Sequence, residues 1–417
     1  MKLRIIGGKP LSGTIRAHGA KNSVLPVLAA TVLSGGVCVI ENCPDLQDVR
    51  ETLKILRYIG CSAAFDDGRV TVDASACNRS DIPHELMKEL RASFIFLGAI
   101  LGRTGEAAVS LPGGCDLGQR PVDIHTDALI KMGAEITSEG GMIHCNAKRL
   151  RGAAIQFGFP SVGATENIMI AATLAEGVTT ISGAACEPEI VDLQNFLNAM
   201  GADVADAGTP TVTVRGVTKL HGAAHRVIPD RIAASTYLAA VAAAGGEITV
   251  TDVVPEHFAS VTAVLRDMGC DIAQTADSVT LKRLGALKAR PMTAIHTLPY
   301  PGFPTDAQSP IMAVCALAEG TTIFVENIFS DRYTHVGELA RMGASIQVED
   351  RVAVVSGVES LRGAPVRCTD LRGGAAVVIA ALAARGESVI SELSHLDRGY
   401  ENLVYNLRSL GAEIDRG

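Results

Sequence analysis

One pattern recurs six times along this chain, and that limits it to a set of like units built around shared cores. The marker is an apolar residue, then Gly, then Ala or Cys, then a short apolar run. It falls at near-equal spacing, at Gly60, Gly133, Gly201, Gly269, Gly343 and Gly411. A second marker, a Gly that opens a strand, falls at Gly36, Gly105, Gly177, Gly246, Gly320 and Gly386. The stretch from second marker to first is nearly constant in five copies, as from Gly36 to Gly60 or from Gly177 to Gly201, and longer in the second copy, from Gly105 to Gly133. The excess lies in Leu111-Pro112-Gly113-Gly114-Cys115-Asp116-Leu117-Gly118-Gln119-Arg120. A departure from a regular repeat is where function is commonly grafted.

Each copy reads as a nearly all-apolar helix, a short β-branched strand, an amphipathic helix ending at the Gly marker, and two closing strands. A helix apolar on every side has to be buried, so the layering is inverted, with helices inside and sheets outside. The expected class is therefore α/β: two inverse α/β barrel domains, each of three repeats with pseudo-threefold symmetry. The turn-strand segments Leu11-Ser12-Gly13-Thr14 and Leu220-His221-Gly222-Ala223 each precede a new helix. They place one domain at 21–229 and the other at 1–20 plus 230–417.

Composition narrows the functional classes. A formal net charge of -8 excludes general nucleic-acid affinity, while leaving room for a local basic cleft. With aromatics at 4% and no Trp, the core is packed by Ala, Val, Ile and Leu. The ten Cys form no CxxC pair and no zinc-finger spacing, so they read as small buried hydrophobes of a reduced protein. The start lacks a long apolar leader, and runs such as Ala375 to Ala384 are too short to span a bilayer. The expectation is a cytoplasmic monomer without membrane or nucleic-acid partners.

The starts of the six apolar helices carry the first functional signal. Counting back from each strand-opening Gly by the length of its helix, the same within one position in every copy, gives Lys21, Arg91, Gly163, Arg231, Asp306 and Arg372. Helix starts offer free N–H groups and partial positive charge, which suit anions. Capping and surface charge account for any one of these residues. Their recurrence at one phase favours a shared anion-binding cleft.

A second set lies in the loops after the strands. Arg332 follows Gly320 at the same offset as Arg398 follows Gly386, and Arg120 joins them, counted from Gly105, once the insertion is removed. Three Arg at one phase suit a multiply charged carboxylate or phosphate ligand. Pairing with a neighbouring Asp is the plain alternative for Arg332 and Arg398; Arg120 has no adjacent acid. Cys115 stands in a Pro-Gly-Gly loop able to bend and move, where a thiol can act as nucleophile or general acid.

Several runs occur in order: Gly19-Ala20-Lys21-Asn22-Ser23, Arg91-Ala92-Ser93, Leu111-Pro112-Gly113-Gly114-Cys115, Arg120-Pro121-Val122-Asp123-Ile124-His125, Ser161-Val162-Gly163-Ala164-Thr165, Phe303-Pro304-Thr305-Asp306 and Thr369-Asp370-Leu371-Arg372. In this combination, and over its whole length, the chain resembles the UDP-N-acetylglucosamine 1-carboxyvinyltransferases, a family of enolpyruvyl transferases. The resemblance implies transfer of the enolpyruvyl group of phosphoenolpyruvate to the 3′-hydroxyl of UDP-N-acetylglucosamine with release of phosphate, the first committed step of peptidoglycan synthesis. It implies no metal or organic cofactor.

The resemblance also implies residue roles. Cys115 becomes the acid that protonates C3 and can carry a covalent phospholactoyl adduct, which makes fosfomycin an expected inactivator. Asp306 becomes the base at the 3′-hydroxyl. Lys21, Arg91, Arg120, Arg332, Arg372 and Arg398 hold phosphate and carboxylate, and Asn22 and Asp370 orient the reacting groups. Arg120, Pro121, Val122, Asp123 and Ile124, with Ser161, Val162, Gly163 and Ile328, bind the uridine diphosphate sugar. One departure is visible: Phe159-Pro160 stands where some members have Lys before the Ser-Val-Gly-Ala-Thr run.

Three rivals remain. A transferase acting on shikimate 3-phosphate would use the same fold, but the Cys115 insertion speaks against it. A noncatalytic repeat scaffold would not need the charged helix starts. A dinucleotide oxidoreductase is disfavoured by the absence of Gly-x-Gly-x-x-Gly between a strand and a helix.

Overall fold

Six helices bury almost every side chain they carry, as their uniform apolarity requires. They are Lys21–Ala30, Phe96–Thr104, Val162–Ala172, Arg231–Ala244, Thr305–Cys315 and Leu371–Ala383. The computed structural model describes residues 2–87, 91–110, 122–289 and 294–417. These group into two compact units, one of residues 2–18 and 229–417, the other of 19–110 and 122–228. Each unit has its own apolar core, and within each unit three of the buried helices pack against one another.

Each buried helix comes with one four-stranded sheet, six in all among the described residues. The sheets share a plan. A short edge strand runs parallel to the strand after the buried helix, and an antiparallel hairpin completes the other side. In one sheet these are Ala154–Gln156, Val178–Ser182, Thr211–Arg215 and Asp203–Ala205. The strands alternate buried and exposed positions, as in Val178–Ser182, so one face meets the helices and the other faces solvent. The architecture is thus the inverse α/β arrangement expected from the sequence.

The six Gly markers end the amphipathic helices in a left-handed conformation, with φ between 93° and 101°. A residue with a Cβ resists this backbone, which is why the Gly recurs.

Three of the sheets take a strand from outside their own copy. Leu11–Arg16 precedes the helix Lys21–Ala30 in the chain but pairs with Gly246–Thr251 of the fourth copy, within the unit of residues 2–18 and 229–417. In exchange Ala224–Arg226, which precedes Arg231–Ala244, pairs with Val37–Glu41. The sixth copy departs from the expectation of two closing strands of its own. After Gly411 comes one strand, Glu413–Arg416, and its hairpin partner is the N-terminal strand Leu3–Ile6. The N–H and C=O groups that Glu413–Arg416 presents to the sheet are met by those of Leu3–Ile6.

Candidate functional site

In the unit of residues 19–110 and 122–228, Lys21 is the first residue of its helix and Asn22, half-buried, the second. No side chain caps this helix. Lys21 Nζ lies 2.8 Å from Asp48 Oδ2, in the first turn of the helix Gln47–Tyr58. Asp48 is buried and held by this bond, so the ammonium sits at the helix start with a fixed counter-charge beneath it.

The same unit brings two of the expected nucleotide-binding stretches together. Val122 caps the helix Asp123–Lys131, with Asp123 and Ile124 in its first turn. Ser161 caps Val162–Ala172, its side chain accepting from Ala164 N at 3.3 Å. The link between them is His125, whose Cε1 a methyl group on Gly163 would touch at 3.5 Å. Gly98 N–H donates to Asn167 Oδ1 at 2.7 Å, so the Asn167 amide nitrogen is left to donate to His125 Nδ1, 3.0 Å away. Phe94 meets the ring edge-on at 5.0 Å. Burial pushes His125 down to about 4, so it is neutral at pH 7.

In the unit of residues 2–18 and 229–417, Asp306 is the second residue of the helix Thr305–Cys315 and the meeting point of two arginines. Arg332 Nη2 lies 3.1 Å from Oδ1 and also donates to Thr305 O at 3.0 Å; Arg372 Nη2 lies 3.4 Å from Oδ2. Both guanidinium groups are buried, whereas the Asp306 side chain keeps 28% exposure, so a solute can reach the carboxylate. The Arg372 guanidinium also lies 5.4 Å over the Tyr400 ring. Arg231 opens its own helix 5.7 Å over Tyr300, and Asp230 caps that helix.

Asp370 caps Leu371–Ala383. Its Oδ1 accepts from Arg372 N and Gly373 N, both at 3.0 Å, and its Oδ2 accepts from Thr334 Oγ1 at 2.8 Å. Burial opposes its charge, but Arg332, the Gly373 N–H and Thr334 outweigh that and hold the carboxyl below the usual range. Ile328 is positioned by its own N–H, which donates to buried Glu326 at 2.9 Å.

Arg332 does not take the neighbouring acid that the plain alternative supposed. Asp331 accepts from Ser330 Oγ at 2.9 Å while Arg332 turns inward to Asp306. Asp397 is held by Arg416 through two bonds of 2.6 and 2.7 Å, and Arg398 follows it, half-buried, at the end of the helix Ser394–Asp397. Cys115, Arg120 and Pro121 lie outside the described residues, as does the side chain of Arg91.

Four contributors went unread in the sequence: Asp48, His125 as a link between helices, Glu326 and His335. His335 is fully buried beside Asp370 and Arg332, and burial pushes it down to about 4. A signal for Asp48 existed. It follows Gly36 at the same offset that singled out Arg332 after Gly320 and Arg398 after Gly386. Among the described residues no helix is long and apolar enough to cross a membrane.

The fold and these sites define an enolpyruvyl transferase. A family model described as EPSP synthase (3-phosphoshikimate 1-carboxyvinyltransferase) matches residues 5–407. The crystal structure of the enolpyruvyl transferase NikO from Streptomyces tendae superposes with a TM-score of 0.89 at 29% identity, covering 99% of this chain and 98% of that one. EPSP synthase from Acinetobacter baumannii, at TM-score 0.76 and 20% identity over the whole of both chains, shares the fold.

The sequence relatives are more particular. UDP-N-acetylglucosamine 1-carboxyvinyltransferase 2 of Caldanaerobacter subterraneus is 50% identical over 100% of this chain and 99% of its own. The UDP-N-acetylglucosamine 1-carboxyvinyltransferase of Clostridium botulinum is 46% identical, again over 100% of this chain and 99% of its own. The chain belongs to the UDP-N-acetylglucosamine 1-carboxyvinyltransferase family.

Proposed function

We infer that this chain transfers the enolpyruvyl group of phosphoenolpyruvate to the 3′-hydroxyl of UDP-N-acetylglucosamine, releasing phosphate. The observation that carries this reading is 50% identity, end to end, with a relative named for that activity. In the reaction the 3′-oxygen bonds to C2 of phosphoenolpyruvate while C3 gains a proton. The resulting ketal then loses phosphate from C2 and a proton from C3, restoring the double bond.

The local chemistry supports a division of labour. Lys21, Arg91, Arg120, Arg332, Arg372 and Arg398 supply positive charge for the phosphate and carboxylate. Asn22 orients the reacting groups. Asp370 acts through the cap that holds Arg372 at its helix start. Val122, Asp123 and Ile124, with Ser161, Val162 and Gly163, support a nucleotide-sugar subsite joined by neutral His125. The family resemblance assigns Ile328, Arg120 and Pro121 to nucleotide-sugar binding as well.

Asp306 is the base in this reading, and its surroundings set a condition. A carboxylate facing two guanidinium groups is a poor proton acceptor. It gains basicity when the substrate's phosphate and carboxylate draw Arg332 and Arg372 toward themselves. The base is then switched on by the anion whose partner it deprotonates. Cys115 completes the set as the acid at C3.

The deciding experiment offers phosphoenolpyruvate with each of two acceptors. Phosphate release with UDP-N-acetylglucosamine and none with shikimate 3-phosphate is expected; the opposite preference overturns the assignment. Fosfomycin is expected to alkylate Cys115 and abolish turnover. A peptide map showing Cys115 untouched and activity intact would remove the thiol from the mechanism.

A further inference from the structure

Cys61 and Cys77 are brought close by one turn of the unit of residues 19–110 and 122–228. Cys61 follows the helix Gln47–Tyr58 and leads into the strand Ser62–Asp66. Cys77 follows the strand Arg69–Asp73, whose Asp73 stands opposite Ser62 in the hairpin. The turn after that strand folds back onto the helix end. Cys77 N donates to Ala74 O at 3.0 Å, and Asn78 N donates to Ile59 O at 3.1 Å. The approach is close enough that a methyl on Gly60 would sit 2.8 Å from Ala76 O. These contacts, from Ile59 and Gly60 on one side to Ala76 and Asn78 on the other, bring Cys61 and Cys77 side by side.

Their environments differ in the way that an attacking and a resolving thiol require. Cys61 is buried; Cys77 is partly open to solvent. Arg103 is fixed alongside, its guanidinium donating to Ala74 O at 2.7 Å and to Val32 O at 2.6 Å. The hydrogen bond from Cys61, with Arg103 adding to it, holds the Cys77 thiol below the ordinary range against the effect of burial. Burial pushes Cys145, Cys270, Cys315 and Cys368 the other way.

We propose that Cys61 and Cys77 are a reversible oxidation site, closed to a disulfide by low-molecular-weight disulfides. The Cys77 thiolate attacks one sulfur of the small disulfide, forming a mixed disulfide and releasing one small thiolate. Cys61 then gives up its proton and attacks the Cys77 sulfur, expelling the second small thiolate, which takes that proton. Two electrons pass from the two protein thiols to the small disulfide, which leaves as two thiols. The bond joins the C-terminal end of the helix carrying Asp48 to the far side of the hairpin. Neither cysteine belongs to the catalytic machinery.

The test treats the folded protein with glutathione disulfide and maps it by trypsin digestion without reduction. In the wild type, peptide 58–69 is expected to be joined to peptide 70–79, and dithiothreitol to separate them. In Cys61→Ser, Cys77 is expected to retain one glutathione, because nothing resolves the mixed disulfide. In Cys77→Ser, Cys61 is expected to stay a thiol. The proposal is overturned if the wild type accumulates glutathione on Cys77 without the linked peptide. It is equally overturned if both residues stay thiols in the folded protein but react once it is denatured in urea.

Discussion

The two units hold the same device with its charges reversed. In one, a cation at the helix start, Lys21, pairs with an acid at the second recurring phase, Asp48, in the first turn of the next helix. In the other, an acid at the helix start, Asp306, pairs with a cation at the same loop phase, Arg332. In both, the loop-phase side chain is the buried member, with 3% exposure for Asp48 and 2% for Arg332, and the helix-start side chain is the more accessible one, with 13% and 28%. The repeat thus builds one frame, a buried charge aiming an accessible charge of opposite sign. The sign chosen decides the chemistry: an ammonium to bind an anion, or a carboxylate to take a proton. The other copies relax the pattern. The third has Gly163 at the helix start, and its loop-phase acid Glu189 contributes, after burial, to raising the Glu166 carboxyl well above the usual range.

The largest effect should follow from removing the accessible acid. Asp306→Asn is expected to lower kcat on the order of a thousandfold, within the span general bases contribute, and also to lower the thermal midpoint, because it takes the shared carboxylate from two buried guanidinium groups. Unchanged turnover in a stopped assay of phosphate release would remove the contrast between the units. The next effect concerns the buried partner. Lys21→Met removes the ammonium 2.8 Å from buried Asp48 and should destabilise folding by about 3 kcal/mol. Adding Asp48→Asn should restore most of the urea midpoint but none of the phosphoenolpyruvate binding. A double variant no more stable than the single one would mean that the pair is not what holds this frame.

Acid stability probes two histidines held neutral, half-buried His125 in one unit and buried His335 in the other. Both have folded values near 4, below the ordinary histidine value, so the unfolded chain binds more protons as pH falls from about 6.5 to 4. Stability should therefore drop across that window, by up to about 1.4 kcal/mol per pH unit for each histidine. His335→Gln is expected to remove about half of that slope in urea titrations; an unaltered slope would mean that His335 is not buried neutral. The smallest effect belongs to the cap at the nucleotide-sugar stretch. Ser161→Ala loses one long bond to Ala164 N and should cost about 0.5–1 kcal/mol, read as a lower urea midpoint.

Much of the frame was legible because it is periodic. The Gly markers could be counted since each occupies a left-handed helix end that disfavours other residues. The apolar helices could be read as buried since nothing on them faces water. Lys21, Asp306 and Arg372 could be placed at helix starts by counting alone. The fate of their charges could not. An Arg followed by Tyr and preceded by Asp reads as a surface pair, yet Arg332 turns inward and Asp331 bonds Ser330. His125 looked like one more residue of a motif until Asn167, 42 positions away, supplied its partner.

Sequence alone determined the repeat count, the inverted layering and the phase of each charged residue, because local periodicity and glycine sterics act between near neighbours. Only the tertiary structure decided which charges meet, which strands are exchanged and how the chain's first strand completes its last sheet. Those outcomes depend on residues far apart in sequence competing for the same buried space, where each polar group has to find whichever partner the packing brings to it.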